Sequence, residues 1–173
     1  MKNDLEKLTE KIQTFGKEDL SDILYYTATS LKSIFECHIV RVYLEDLHQG
    51  ILICQYMTEQ KRPVEQQITK FISPRDSMTS QAFYENKVIR SWNLPEGFIK
   101  YRNPFEKMLG VQASVVFPIV HELRPIGTLT LDWEKEENPI SNEKIDAING
   151  FLANISVVID RAKRFHQQIS FSR

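Results

Sequence analysis

Five side chains of this chain have the types and spacing to recognise a small molecule. They are Arg41 and Tyr43 in the segment IVRVYLED, and Thr128, Thr130 and Asp132 in GTLTLDW. Both segments read with a period of two, the repeat of a β-strand. Leu129, Leu131 and Trp133 fall on one face, and Thr128, Thr130 and Asp132 fall on the other. If Val40, Val42 and Leu44 lie with the leucines, Arg41 and Tyr43 point to the threonine face. Threonine is small, favours strands and can donate or accept a hydrogen bond, which suits the floor of a polar pocket. An arginine in mid-strand needs an anion. Its planar fork fits a ligand carboxylate or phosphate, or else a protein carboxylate such as Asp132 on a neighbouring strand.

A wall for such a pocket is available in IRSWNLPEGFIKYRNPFEKML, where Arg90, Trp92, Phe98, Tyr101, Phe105 and Met108 offer aromatic surface and a second guanidinium. Phe117, in the strand before the threonines, completes the candidate contacts. Walls of this kind suit a planar ligand, although aromatics so spaced also serve to glue a loop-rich region to a sheet. The pattern predicts binding rather than catalysis. His38, His48, His121 and His166 have no metal-ligand spacing, and Cys37 and Cys54 form no CxxC pair and read as free thiols within strands. No nucleophile elbow, phosphate loop or zinc-hydrolase motif is present, so neither an enzyme nor a metal site is expected and no cofactor is identified.

The elements that must position these residues follow from periodicity. Leu5, Leu8, Ile12 and Phe15 recur at helical spacing within residues 1–16, ending at Gly16. A second helix runs through LSDILYYTATSLKSIF with Asp19 or Ser21 as its cap. HIVRVYLEDLHQGILICQYM reads as a β-hairpin turning at Gly50. Residues 58–110 are punctuated by Pro63, Pro74, Pro95 and Pro104, with a helix over 77–85 capped by Asp76 or Ser77 and a short strand in KVIRSW. So long an excursion usually covers a site. A second hairpin spans Val111 to Trp133, and a long helix occupies 141–168. The apolar stripe of that helix is broader than a sheet requires. Phe151, Val158 and Phe165 widen it enough to leave surplus for a partner helix.

With 173 residues, 42% hydrophobic and 26% charged, the chain fits a single domain over 1–173 with a real core. A formal net charge of -1 provides no field to draw it to nucleic acid or anionic lipid. The charged N-terminus and the lack of a long apolar run predict a cytoplasmic protein with no membrane segment.

The segment FPIVHELRPIGTLTLDW, a strand ending in Pro and a hydrophobe, a short turn, then Ile-Gly and an alternating strand, resembles the GAF domain family. ISPRDSMTSQAFYENKVIRSW is similar to that family's short helix followed by a strand, and the order of elements matches over nearly the whole chain. The resemblance implies an α+β, PAS-related fold: a central antiparallel sheet of five or six strands, terminal helices on one face and a ligand pocket on the other. It also implies a small-molecule sensor that relays occupancy through its terminal helices, pairing as a homodimer and acting on an effector domain. The NKFDE signature of cyclic-nucleotide-binding members is absent, with only Asn86 and Lys87 as an isolated pair, and the cysteines do not match bilin-attaching or methionine-sulfoxide-reducing members. A small molecule, anionic or planar, is the expected partner. The alternative is a ligand-free dimerisation module whose pocket is filled by its own side chains.

Overall fold

Two alternating strand pairs decide the architecture, and the helices cover what they leave exposed. The computed structural model describes residues 1–59, 69–71, 77–92, 110–135 and 139–171, with backbone alone for 69–71, 170 and 171. Among them the order is α1 (Lys2–Gln13), α2 (Leu20–Phe35), β1 (Ile39–Asp46), β2 (Ile51–Met57), β3 (Thr69–Phe71), α3 (Met78–Glu85), β4 (Ile89–Arg90), β5 (Ala113–His121), β6 (Arg124–Trp133) and α4 (Asn142–Phe171). The strands form one six-stranded sheet, β3-β2-β1-β6-β5-β4, antiparallel at every pairing. The fold class is therefore the α+β arrangement that the sequence implies, with β3 as an edge strand absent from the sequence reading.

Local chemistry sets the boundaries. Asp46 closes the β1–β2 turn by accepting hydrogen bonds from the His48 and Gln49 amides at 2.9 and 3.1 Å, and Gly50 takes the left-handed conformation at φ 63. Ser77 caps α3 by accepting from the Ser80 amide at 3.1 Å. Asp19 occupies the N-cap position of α2, but its carboxylate accepts from the Gly16 amide at 2.7 Å and so fixes the preceding turn instead. Cys37 lies between α2 and β1, not within a strand, and is buried.

One face of the sheet carries Val40, Val42 and Leu44 from β1, Leu129, Leu131 and Trp133 from β6, and Val115, Phe117 and Ile119 from β5. These join one core with α1, α2 and α4. The surplus apolar width of α4 is used within the chain. Phe151 and Val158 are buried in that core, where Leu5, Leu8 and Ile12 of α1 join them. The α1–α2 connection is also tied to α4: Arg161 donates to the Phe15 carbonyl at 2.8 Å, and the Lys17 amine lies 4.7 Å from the centroid of the Phe165 ring. Helix α4 is thus sandwiched, which is why its stripe is wider than a sheet alone demands.

Gly127 sets the spacing at the centre of the sheet. It pairs with Leu44, and a Cβ there would collide with the Tyr43 carbonyl oxygen. Only glycine lets β1 and β6 approach this closely.

Candidate functional site

The face opposite the terminal helices is where the sequence-selected polar residues meet. Register places Arg41 beside Thr130 and Tyr43 beside Thr128 on β1 and β6, and β5 brings Ser114 beside Asp132 and Val116 beside Thr130. Directly paired residues share a face, so Arg41, Tyr43, Ser114, Thr128, Thr130 and Asp132 form one surface. All six are buried.

Two of them form a charged pair across the strands. Arg41 donates from Nε to Asp132 Oδ2 at 2.7 Å and from Nη2 to Asp132 Oδ1 at 2.9 Å, and the Ser114 hydroxyl donates to Oδ1 at 2.6 Å. The arginine and the carboxylate are about as deeply buried as any residues in the chain, at 2% and 0% side-chain exposure. Of the two partners that the sequence offers Arg41, the structure supplies Asp132. Ser114 is a member of this network that the sequence reading missed, and its place follows from lying opposite Asp132.

Helix α3 covers this face. Met78 and Ala82 pack on Ile89 and Val116, and Phe83 packs with Tyr43 and Leu52. Thr79, Ser80 and Gln81 of the same helix are buried as well, an uncommon fate for three consecutive polar residues. Gln81 donates from its amide nitrogen to Glu85 at 3.2 Å, while its carbonyl oxygen is buried without a hydrogen-bond partner among the described residues. The hydroxyls of Thr128 and Thr130 are in the same condition. A buried polar group left without a partner costs about 1–3 kcal/mol, so each of these three atoms is a candidate to meet water or a ligand.

The other candidates fall elsewhere. Phe117 pairs with Leu129 and sits in the helix-side core, so it does not line the Arg41 face. Arg90 pairs with Val115, and its guanidinium donates to the Asn142 side chain at 3.1 Å at the start of α4. Trp92 packs against the helix-side core. Phe98 and Tyr101, with Phe105 and Met108, lie outside the described residues. On the helix side a separate groove of about 370 Å³ lies between α2 and β2, lined by Leu20, Asp22, Leu24, Tyr25 and Tyr56 among others.

A second charged cluster joins the sheet to α4. Arg124 donates to both oxygens of Glu45 at 2.9 and 2.7 Å, Gln167 donates to the Glu45 carbonyl at 2.8 Å, and Arg164 donates to Asp160 at 2.6 Å. The Lys163 amine stands 3.9 Å from both Glu45 and Asp160, with no hydrogen-bond partner among the described residues. Burial holds its pKa below the usual 10.5 although both carboxylates oppose the shift. Burial pushes the Cys37 thiol up to about 12, with the Asp132 charge adding to it. Among the described residues no group of three or more His, Cys, Asp or Glu could hold a metal ion.

A six-stranded antiparallel sheet with terminal helices on one face and a polar, helix-covered surface on the other defines an α+β module. The GAF domain model matches residues 19–159, well over half of the chain, and the chain belongs to that family. Solved structures agree in fold. The GAF domain of a phosphoenolpyruvate-protein phosphotransferase from Coxiella burnetii superposes with a TM-score of 0.76 at 12% identity, covering 95% of each chain. Residues 122 to 287 of a methyl-accepting chemotaxis protein give 0.71 at 18% identity, covering 91% of this chain and 98% of that one. The free methionine-R-sulfoxide reductase of Neisseria meningitidis, in complex with its substrate, also gives 0.71, at 15% identity over 92% and 88%. Such identities carry the fold and no activity. No curated protein matches the chain by sequence. No described helix is long and apolar enough to cross a membrane.

Proposed function

We propose that this GAF domain is a non-enzymatic cytosolic sensor. A small molecule occupies the layer between the sheet face and α3, and occupancy is relayed to the terminal helices and from there to an effector. The observation that carries this reading is a trio of buried polar atoms with no hydrogen-bond partner among the described residues: the hydroxyls of Thr128 and Thr130 and the Gln81 carbonyl. Support for the relay comes from β1, which holds Arg41 and Tyr43 in the site and, two residues on, Glu45 in contact with Lys163 and Gln167 of α4. A ligand shifts α4 only by as much as its affinity differs between two helix arrangements.

A broad metabolite panel read by thermal shift tests the reading. A ligand at one hundred times its Kd stabilises by about 2.7 kcal/mol, or about 5–11 °C for a chain of this size. A flat panel, together with a crystal structure showing only ordered water under α3, removes the sensor reading.

One observation favours the rival, a ligand-free dimerisation module: Phe83 packs on Tyr43 and Leu52, so the chain fills part of this face itself. With Phe151 and Val158 buried, a homodimer through α4 would have to use its exposed stripe at Gly150, Ala153, Asn154 and Val157. Light scattering decides that point. A monomer at micromolar concentration excludes the dimer, and a dimer broken by Val157→Arg places it on this stripe.

A further inference from the structure

The helix side of the sheet carries an array of four rings running from the α1–α2 connection to β2. Phe15 and Tyr26 stack with their centroids 5.6 Å apart, Tyr25 meets Tyr26 edge to face at 5.3 Å, and Tyr56 meets Tyr25 at 6.2 Å and 87°. One end of the array already holds a cation, since the Lys11 amine lies 5.1 Å from the centroids of both Phe15 and Tyr26. The other end holds none among the described residues, and there the groove of about 370 Å³ opens between α2 and β2. Its aromatic corner is made by Tyr25 and Tyr56, and the buried Leu20 and Leu24 also line it. Tyr25 is 49% exposed, so much of its ring is left for a guest to cover.

The charge on this groove is negative. Asp22 lies three residues before Tyr25, on the same face of α2, and its exposed carboxylate has no ion pair among the described residues. Burial, with Tyr25 beside it, holds the Tyr56 hydroxyl above its ordinary pKa, so that ring stays neutral near pH 7. Two rings and a carboxylate around one space attract a cation. A primary ammonium would bring three N–H donors to a groove lined largely by ring and leucine carbon, whereas a quaternary head has no donor to satisfy. We propose that this groove binds an organic cation with a methylated, weakly hydrated head, such as a trimethylammonium group, against Tyr25 and Tyr56 and beside Asp22. The site is separate from the layer under α3 and does not rest on the sensor reading.

Choline and its neutral isostere 3,3-dimethylbutan-1-ol have the same shape and differ in charge. Titrated into the whole chain at neutral pH and followed by protein-observed NMR, choline should give saturable shifts at Tyr25 and Tyr56 with a Kd in roughly the millimolar range, and the alcohol should bind about tenfold more weakly. Tyr25→Leu, Tyr56→Leu and Asp22→Asn should each weaken choline about threefold or more with the circular dichroism spectrum unchanged, and Asp22→Asn should also flatten the salt dependence of binding. Equal affinity for the neutral alcohol overturns the proposal, and that comparison is read on the parent chain, so it does not depend on any variant folding. A titration without saturation below about 50 mM, shifts confined to residues outside the groove, or an affinity that survives both leucine substitutions overturns it as well.

Discussion

Removing one member of the Arg41–Asp132 pair should cost far more than removing both. Asp132→Leu takes away the carboxylate that accepts two hydrogen bonds from a guanidinium of 2% exposure, and it also strands the Ser114 hydroxyl that donated to Oδ1 at 2.6 Å. Breaking a buried pair from one side costs about 3–5 kcal/mol, because the remaining charge is still out of water. For a chain of this length each kcal/mol moves Tm by about 2–4 °C, so the single variant should melt about 6–20 °C lower. Arg41→Met should fall in the same range, since it leaves the Asp132 carboxylate at 0% exposure with Ser114 as its remaining side-chain donor among the described residues. The double variant Arg41→Met/Asp132→Leu fills the volume with apolar atoms and removes both desolvation penalties. It should recover to within about 1 kcal/mol of the parent, or exceed it. Urea unfolding at equilibrium on the four proteins gives the coupling energy directly, and the slopes of the transitions verify that the unfolded state is unchanged. Single variants that lose less than about 1 kcal/mol and simply add in the double would refute the reasoning. Arg41 would then be solvated, and its role as a receptor for an anionic ligand would return.

Four further outcomes follow from the structure. In the β5–β6 turn Glu122 and Leu123 both have positive φ, 49 and 65, and Leu123 is 94% exposed, so Leu123→Gly should stabilise by about 0.5–1 kcal/mol in a urea melt by relieving left-handed strain. Gly127→Ala should destabilise by about 1–3 kcal/mol or more, because its Cβ would collide with backbone at Tyr43, and a neutral result would mean the two central strands can part without cost. Lys163→Met should raise stability by about 1–3 kcal/mol near pH 7, since Glu45 and Asp160 keep Arg124 and Arg164 as partners. With the Lys163 pKa lowered in the fold, the penalty is fully present below the folded value and is relieved as pH rises from there toward 10.5, so the gap between variant and parent should narrow near pH 10. Cys37, with its thiol pushed up to about 12, should resist a disulfide reagent near pH 8 until the chain unfolds, and immediate labelling of Cys37 in the native state would contradict its burial.

What could be read from the sequence depended on alternation. Thr128, Thr130 and Asp132 interleave with Leu129, Leu131 and Trp133, so their common face was legible without coordinates, as was that of Arg41 and Tyr43. Phe117 was not legible, because β5 reads ASVVFPIVH, with no polar residue between Ser114 and His121 to mark a side. Its face depends on register against β6, and that register shifts between Ile119 and Val120, where the strand bulges. Arg90 and Trp92 depend on β4, a strand of two residues whose direction is fixed only by pairing with β5. The polar run Thr79, Ser80 and Gln81 defies the ordinary expectation that such residues face water, so its burial could not be read from residue type. The extra width of α4 was visible in Phe151 and Val158, but periodicity cannot say whether a second helix comes from the same chain or another, and here α1 takes that place.

Strand β1 is the shortest physical connection between site and helix. Arg41 and Glu45 are four residues apart, about 13 Å along a strand hydrogen-bonded on both sides. Such a strand moves as a unit against β6, and Gly127 holds the two at their closest approach between Tyr43 and Leu44. At the far end Lys163 is held loosely, 3.9 Å from each carboxylate and without a hydrogen bond among the described residues, whereas Gln167 is held firmly on the Glu45 carbonyl at 2.8 Å. A buried amine so poorly satisfied would gain from a small displacement of α4, which makes this contact the place where two helix positions could differ by little in free energy. On the sensor reading proposed above, a guest that engages Thr128 and Thr130 would restrain the β6 side of the strand pair, and Glu45 would carry the change to α4. Gln167→Ala should therefore leave the affinity of a ligand for the site nearly intact while lowering the change in hydrogen-exchange protection that the ligand produces along the C-terminal half of α4. An equal change in the variant would show that coupling runs by another route, through the helix-side core.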